Sequence, residues 1–500
     1  MSIPLSKTKH WSLLQQHAQD LADTSLLNLF NDDKDREKNF HCKAAGLSLD
    51  FSKQKISAET LNLLFSLAHE QTLASHFTDL FSGHFVNKTE NRRVFHTALR
   101  APADGSSIHH EIQDSLKKMA DLVTAIHTQQ WRGYSNQPIT DVVNIGIGGS
   151  YLGPALVCDA LHDFCQNTAS GAPLNIHFVA DIHSRALEKT VAKLNPATTL
   201  FLISSKSFTT FETMTNFLRA KNWFAQTDSA AFRQHFVAIT ANSEKAFEHG
   251  FTTDRIIPFW DWVGGRYSVW SAIGLPIALS IGMDNFYAFL KGAHAIDQHV
   301  ANSAPENNMA MILALLDLWQ INCQQIQNHA ILAYHDNFSL LTAYLQQLIM
   351  ESSGKNRDQD NNLIDYQTAP IVWGGQGALG QHAYYQLLHQ GTIQSLIDFI
   401  LVADTEKEVL SSALSQAQVL MEGDTSPSLL PAYLPGNRGS NIIWLENLTP
   451  HTLGALLALF EHRTFAGAML WHINPFDQWG VERGKVVQKQ LQQKFAITNS

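Results

Sequence analysis

Residues 347–355 read Q-L-I-M-E-S-S-G-K, an apolar helix that ends in a carboxylate, Glu351, just ahead of a glycine. Negative charge is disfavoured at a helix C-terminus, where unpaired carbonyls already point outward. The placement costs stability and suggests use, against the plainer reading of a solvated glutamate. A second candidate is Arg266, in F-W-D-W-V-G-G-R-Y-S at 259–268, where a glycine pair precedes the guanidinium in an aromatic setting. Its plainer reading is a structural pair with Asp261. A third is His382, in G-G-Q-G-A-L-G-Q-H at 374–382, a turn expected to start a helix with the imidazole in its first turn. A helix N-terminus favours the neutral ring, and capping or core packing is the alternative. Carboxylate, guanidinium and imidazole are between them the groups for moving protons and holding developing negative charge. His382 and His389 lie two helical turns apart, and no H-E-x-x-H is present, so the spacing argues against a metal hydrolase.

Two loops are suited to an anion. Residues 144–150 read N-I-G-I-G-G-S after a strand-like run, but the third glycine of a dinucleotide fingerprint would fall on Tyr151, and no phosphate-loop lysine follows. What remains is a tight turn at a helix N-terminus, with Gly149 supplying backbone N–H and Ser150 a hydroxyl. Residues 204–213 read S-S-K-S-F-T-T-F-E-T and also run into a helix. A helix cap needs one hydroxyl, and several stand here beside one lysine. A terminal phosphate accepts many hydrogen bonds, which suits both loops.

Such groups need a frame. Short apolar runs ending in glycine or serine recur at V-V-N-I-G-I-G, N-I-H-F-V-A-D, T-L-F-L-I-S-S, H-F-V-A-I-T-A and R-I-I-P-F-W. They return at A-I-L-A-Y-H, A-P-I-V-W-G-G, D-F-I-L-V-A and N-I-I-W-L-E-N, with helical stretches between. Runs of this length spaced by helices predict two α/β lobes with parallel sheets covered on both faces. The expected layout is a helical N-terminal segment over 1–104 packing on the larger lobe, a smaller α/β domain over 105–285, a larger one over 286–480, and a helical tail over 481–500. At 500 residues more than one core is expected. With 35 Lys+Arg against 45 Asp+Glu, bulk attraction to nucleic acid or an anionic membrane is excluded. The apolar run from Trp270 to Met283 falls short of the ~20 residues of a membrane span and reads as a buried helix. No export-signal pattern opens the chain, so a cytoplasmic location is expected, and four cysteines without metal spacing read as buried thiols.

Six blocks together resemble the phosphoglucose isomerase family: V-N-I-G-I-G-G-S-Y-L-G-P, S-K-S-F-T-T-F-E-T, F-W-D-W-V-G-G-R-Y-S-V-W-S-A-I-G, M-E-S-S-G-K, G-Q-H-A-Y-Y-Q-L-L-H-Q-G and N-P-F-D-Q-W-G-V-E-R-G-K. The resemblance implies two sugar-isomerase-type α/β domains in a homodimer that interconverts glucose 6-phosphate and fructose 6-phosphate without metal or nucleotide. It implies Glu351 as the general base with Arg266 beside it, passing through a cis-enediol, and His382 and Lys485 as the ring-opening groups. Gly149, Ser150, Ser205, Lys206, Ser207 and Thr210 would hold the phosphate, and Gln347 and Gln478 the sugar. Glu212 would orient His382, which reaches the site from the partner subunit. Residues 375–379 read G-Q-G-A-L where the family commonly carries E-P-G-T-N, so a less rigid turn before His382 is expected. Two other readings stay open: a phosphosugar-sensing module that binds without catalysis, and an isomerase that also accepts mannose 6-phosphate.

Overall fold

A computed structural model describes residues 4–225, 229–424, 426 and 430–498. The first hundred residues are not wholly helical. Strands β1 (His41–Ala44) and β2 (Leu47–Asp50) form an antiparallel hairpin, and β3 (Val86–Asn87) pairs with β4 (Arg92–Arg93). The hairpin turns through Ala45 and Gly46, both at positive φ (51° and 79°), the two-residue geometry that matches strand twist. Four-residue strands with alanine in a left-handed position carry little local signal.

The first sheet contains β5 (Asp141–Ile145), β6 (Asn175–Val179), β7 (Thr199–Ser204), β8 (Phe236–Thr240) and β9 (Ile256–Pro258). Its order is β6-β5-β7-β8-β9, every pair parallel, as the apolar runs predict. Central β7 and β8 are buried at every residue, which is why they show no alternation. The order reverses at β5, which lies between the next two strands in sequence. A reversal of this kind opens a crevice beyond the carboxyl ends of β5 and β7.

The second sheet adds β10 (Asn328–Ala333), β11 (Ile371–Gln376), β12 (Leu396–Val402) and β13 (Asn441–Leu445). Its order is β1-β2-β13-β12-β10-β11. The four later strands are parallel, and β2 joins β13 antiparallel, so the N-terminal segment completes the larger lobe's sheet instead of only packing on it.

Between the sheets run two long helices, Leu275–Asn302 and Pro450–Leu470. The first spans the 285/286 boundary expected from the sequence, so the lobes share it. By length and composition it passes for a membrane span, yet most of it is buried inside the molecule and it breaks at Gly282 (φ 80°). The two helices touch backbone to backbone. A Cβ on Gly292 would lie 1.8 Å from the His451 carbonyl oxygen, and one on Gly454 would lie 2.0 Å from that of Phe289. Glycine is required at both places.

Buried charges on this framework are paired, as removal from water demands. Arg100 donates to both oxygens of Asp297 at 2.8 Å and to Glu461 at 2.6 Å, while Arg463 binds Asp317 and Asp398. Burial opposes ionisation of Asp297, but Arg100 and His462 outweigh it and hold the carboxyl at about 2. Glu461 goes the other way, burial pushing it up to about 7 against the pull of Arg100.

Candidate active site

Both anion loops lie at the crevice. Asn144, at the end of β5, donates through Nδ2 to the Ser150 carbonyl at 3.0 Å and accepts from the Ser204 hydroxyl at 2.7 Å. This bridge ties the turn after β5 to the end of β7. Among the described residues the N–H groups of Gly148 and Gly149 meet no acceptor, which leaves them available to a ligand.

After β7, Ser205 is buried and its hydroxyl pairs with that of Thr210 at 3.1 Å. Phe208 takes a positive φ (54°) and anchors the turn by burying its ring against Phe251. A left-handed phenylalanine is strained, and packing of the ring sustains it. Thr210 precedes the helix Phe211–Phe224 but makes no side-chain cap bond, so the hydroxyl cluster is not used for capping. Ser207 is exposed and its oxygen accepts from Thr209. Lys206 turns elsewhere: its ammonium donates to the carbonyls of Asp261 at 2.7 Å and Val263 at 2.9 Å. It thereby ties this loop to the segment that carries Arg266. Burial, helped by Arg92, pushes this ammonium down to about 8 against Asp261 and Glu90.

Arg266 lies directly above the first turn. A Cβ on Gly149 would fall 1.9 Å from the Gly265 carbonyl oxygen, so only glycine lets the two loops meet. The guanidinium does not pair with Asp261. Its Nη1 reaches Glu351 Oε2 at 3.2 Å and Gln478 Oε1 at 3.1 Å, and its Nε donates to the Ser352 hydroxyl at 2.7 Å. Nη2 donates to the carbonyls of Pro475 at 2.5 Å and Asp477 at 3.2 Å. Tyr267, fully buried, pairs with the same Ser352 hydroxyl at 3.1 Å. Neither Ser352 nor Tyr267 stands out in the sequence as a site residue.

Glu351 ends a π-helical stretch, Gln346–Glu351, that follows the α-helix Leu341–Leu345. Residues four apart share one helix face, and Gln347 Nε2 donates to Glu351 Oε2 at 3.1 Å. Gln347 also faces the first loop: a Cβ on Gly148 would lie 3.0 Å from its Nε2. Lys355 and Asp477 hold the back of the cluster, with Nζ to Oδ1 at 2.8 Å. A cleft of about 1490 Å³ opens here, lined by Glu351, Lys355, Asp477 and Gln478 among others.

Three further sequence candidates are not gathered in. His382 is exposed and lies in the turn between two short helices, Gly377–Gly380 and Tyr385–Gln390, not in the first turn of one continuous helix. The preceding Gln381 donates to the Tyr334 and Ser412 oxygens at 2.8 and 2.7 Å, and the chain follows that anchor instead of winding on. Lys485 stands on the helix Trp479–Thr498, 58% exposed, paired with Glu482 at 2.7 Å. Glu212 is half-buried and makes no hydrogen bond or ion pair with His382.

The chain matches the family model described as phosphoglucose isomerase over residues 50–500. Glucose-6-phosphate isomerases of Shewanella pealeana and Shewanella frigidimarina are each 45% identical to it, across 96% of this chain and 93% of theirs. A crystal structure of a glucose-6-phosphate isomerase from Chlamydia trachomatis superposes with a TM-score of 0.87 at 25% identity, covering 99% of this chain and 97% of that one. An arginine and a glutamate meeting above an uncapped hydroxyl loop thus sit in a chain whose matched span and identities leave one assignment: it belongs to the phosphoglucose isomerase family.

Proposed function

We propose that this chain interconverts glucose 6-phosphate and fructose 6-phosphate, an aldose-ketose isomerisation serving glycolysis and gluconeogenesis, with Glu351 as the base that carries the proton. The observation that carries the reading is the 3.2 Å contact of Arg266 with Glu351 beside two anion loops. The phosphate rests on Gly149, Ser150, Ser205, Ser207 and Thr210 and on the N-terminus of the helix Phe211–Phe224, while Lys206 braces that loop from behind. Gln347 and Gln478 hold sugar hydroxyls.

In the closed sugar, His382 and Lys485 protonate the ring oxygen and relieve the anomeric hydroxyl of its proton, and the carbonyl appears at C1. Glu351 then takes the C2 proton, and the electron pair forms the C1–C2 double bond of a cis-enediolate. Its oxygen is held by the Arg266 guanidinium. A proton then passes from the C2 hydroxyl to O1, the protonated Glu351 returns its hydrogen to C1, and the electron pair left on O2 forms the carbonyl at C2. General-base help is worth ~10²–10⁴ in rate, and one donor on the developing oxyanion ~10²–10³.

His382 belongs, on this reading, to the site of a second copy, where Glu212 orients it. Its exposure supports this, as does that of the apolar neighbours Leu379, Leu387 and Ile393. The proposed working form is a cytoplasmic homodimer.

Incubation with glucose 6-phosphate in D2O tests the reaction. Deuterium at C2 of recovered substrate together with fructose 6-phosphate is expected, and absence of both refutes catalysis in favour of a binding module. Glu351→Gln should abolish exchange while a sugar-phosphate analogue still binds.

A further inference from the structure

The Lys355 ammonium has three donor positions, and three acceptors meet it. It donates to the Glu351 carbonyl at 3.2 Å, the Asp477 carbonyl at 2.5 Å and Asp477 Oδ1 at 2.8 Å. The Asp477 carbonyl is the one that also accepts from Arg266 Nη2, and the next residue is Gln478, whose oxygen accepts from Arg266 Nη1. The other carboxylate oxygen of Asp477 accepts from the Thr89 hydroxyl at 2.5 Å and from Asn474 at 3.0 Å. One ion pair therefore joins three separate segments: the end of the Glu351 helix, the segment 474–478, and the loop between β3 and β4.

We infer that Lys355 is a positioning residue for the isomerisation: by gripping Asp477 it locks the helix end that carries Glu351 to the segment that holds Arg266 and Gln478, and it sets a second positive charge beside the base. The inference rests on the reading of Glu351 as that base.

Two physical arguments favour it over a merely structural pair. A lysine on the last carbonyls of a helix offsets the negative end of the helix dipole, which here bears on a carboxylate that must ionise. The pair is also shielded, its side chains only 15% and 7% exposed. Burial lowers the Lys355 ammonium from its usual range, with Asp477 and then Glu351 opposing and Arg266 adding to the fall. A cation retained under that cost, where a neutral side chain would avoid it, is one whose charge and geometry are used. The charged groups facing it are Asp477, Arg266 and Glu351.

The test compares Lys355→Met, Lys355→Arg, Asp477→Asn and Glu351→Gln in steady-state isomerisation, pH profile and C2 exchange. Lys355→Met should lower kcat by about 10–100-fold with little change in KM, because misplacing a reacting group costs rate and not affinity. Its acidic limb of kcat/KM should move to higher pH, since a carboxylate ionises less readily without a nearby cation. Lys355→Arg should bring the limb back and recover part of kcat, and Asp477→Asn should lower kcat less than Lys355→Met does.

Wild-type kcat and an unmoved limb in Lys355→Met overturn the inference, as does a loss confined to KM. If Lys355→Met fails to fold, Asp477→Asn decides: wild-type kcat there overturns it and reduced kcat at unchanged KM upholds it. Retained exchange in Glu351→Gln sinks the base assignment and this inference together. A dead Glu351→Gln beside a wild-type-like Lys355→Met sinks this inference alone.

Discussion

The cluster around Glu351 and the pair His382 with Lys485 are built in opposite ways. Arg266, Gln347, Gln478 and Ser352 come from three stretches of chain and still meet at hydrogen-bond distance, on a guanidinium buried to 5% exposure. His382 and Lys485 face solvent on separate elements, one in a turn and one on a terminal helix. The contrast teaches that one chain pre-organises the groups proposed for carbon proton transfer. The groups proposed for ring opening stand apart from that cluster within the same chain.

Substitutions at the two regions should therefore behave differently. The largest effect is expected for Arg266→Met, a fall in kcat of ~10²–10³ from loss of the oxyanion partner. Arg266→Lys should not rescue it, because an ammonium cannot serve Glu351, Gln478, Ser352 and two carbonyls from one point. Steady-state kinetics checks both.

Next comes His382→Ala. It should slow turnover of ring-closed substrate by ~10²-fold while an open-chain analogue is spared, because only the closed form needs acid-base help at the ring. Equal losses on both substrates would merge the two regions into one.

A smaller effect is expected at Ser352→Ala, which takes away the partner of Arg266 Nε and of Tyr267. It should cost about 1–3 kcal/mol in kcat/KM, the range for a buried donor left unpaired. An unchanged kcat/KM would show that Arg266 is held by the carbonyls alone.

The least change is expected in the contribution of Asp297 to stability between pH 7 and 4. Asp297 has its carboxyl depressed to about 2, so its contribution is present above the unfolded value near 3.8 and is lost only as pH falls through about 2. Chemical denaturation of wild type and Asp297→Asn at several pH values should show that contribution intact across this range.

Much of this was legible from the sequence. All nine parallel strands announce themselves as apolar runs, because strands packed into a covered sheet are built mostly of β-branched and apolar residues. The loops after β5 and β7 are legible for a related reason: tight turns and anion cradles restrict residue type. The β1–β2 hairpin was hidden, since its strands have only four residues each and Ala45 stands where an Asn or Asp usually precedes the turn glycine. So was the broken helix around His382, which depends on where the Gln381 amide finds Tyr334 and Ser412, residues far away in sequence. Lys206 illustrates the same limit. Its charge and neighbours suggest a phosphate ligand, and only the fold brings two carbonyls to its ammonium. The π turn at Gln346–Glu351 leaves the apolar pattern unaltered and so has no signature of its own.

The most direct test of the account mixes two impaired proteins. Glu351→Gln and His382→Ala are each purified, combined under conditions of subunit exchange, and assayed for conversion of glucose 6-phosphate. A mixed dimer pairs the intact Glu351 of one copy with the intact His382 of the other, so turnover should rise well above that of either parent. A verified mixed dimer that turns over no faster than its parents would contradict a site completed across two copies of this chain.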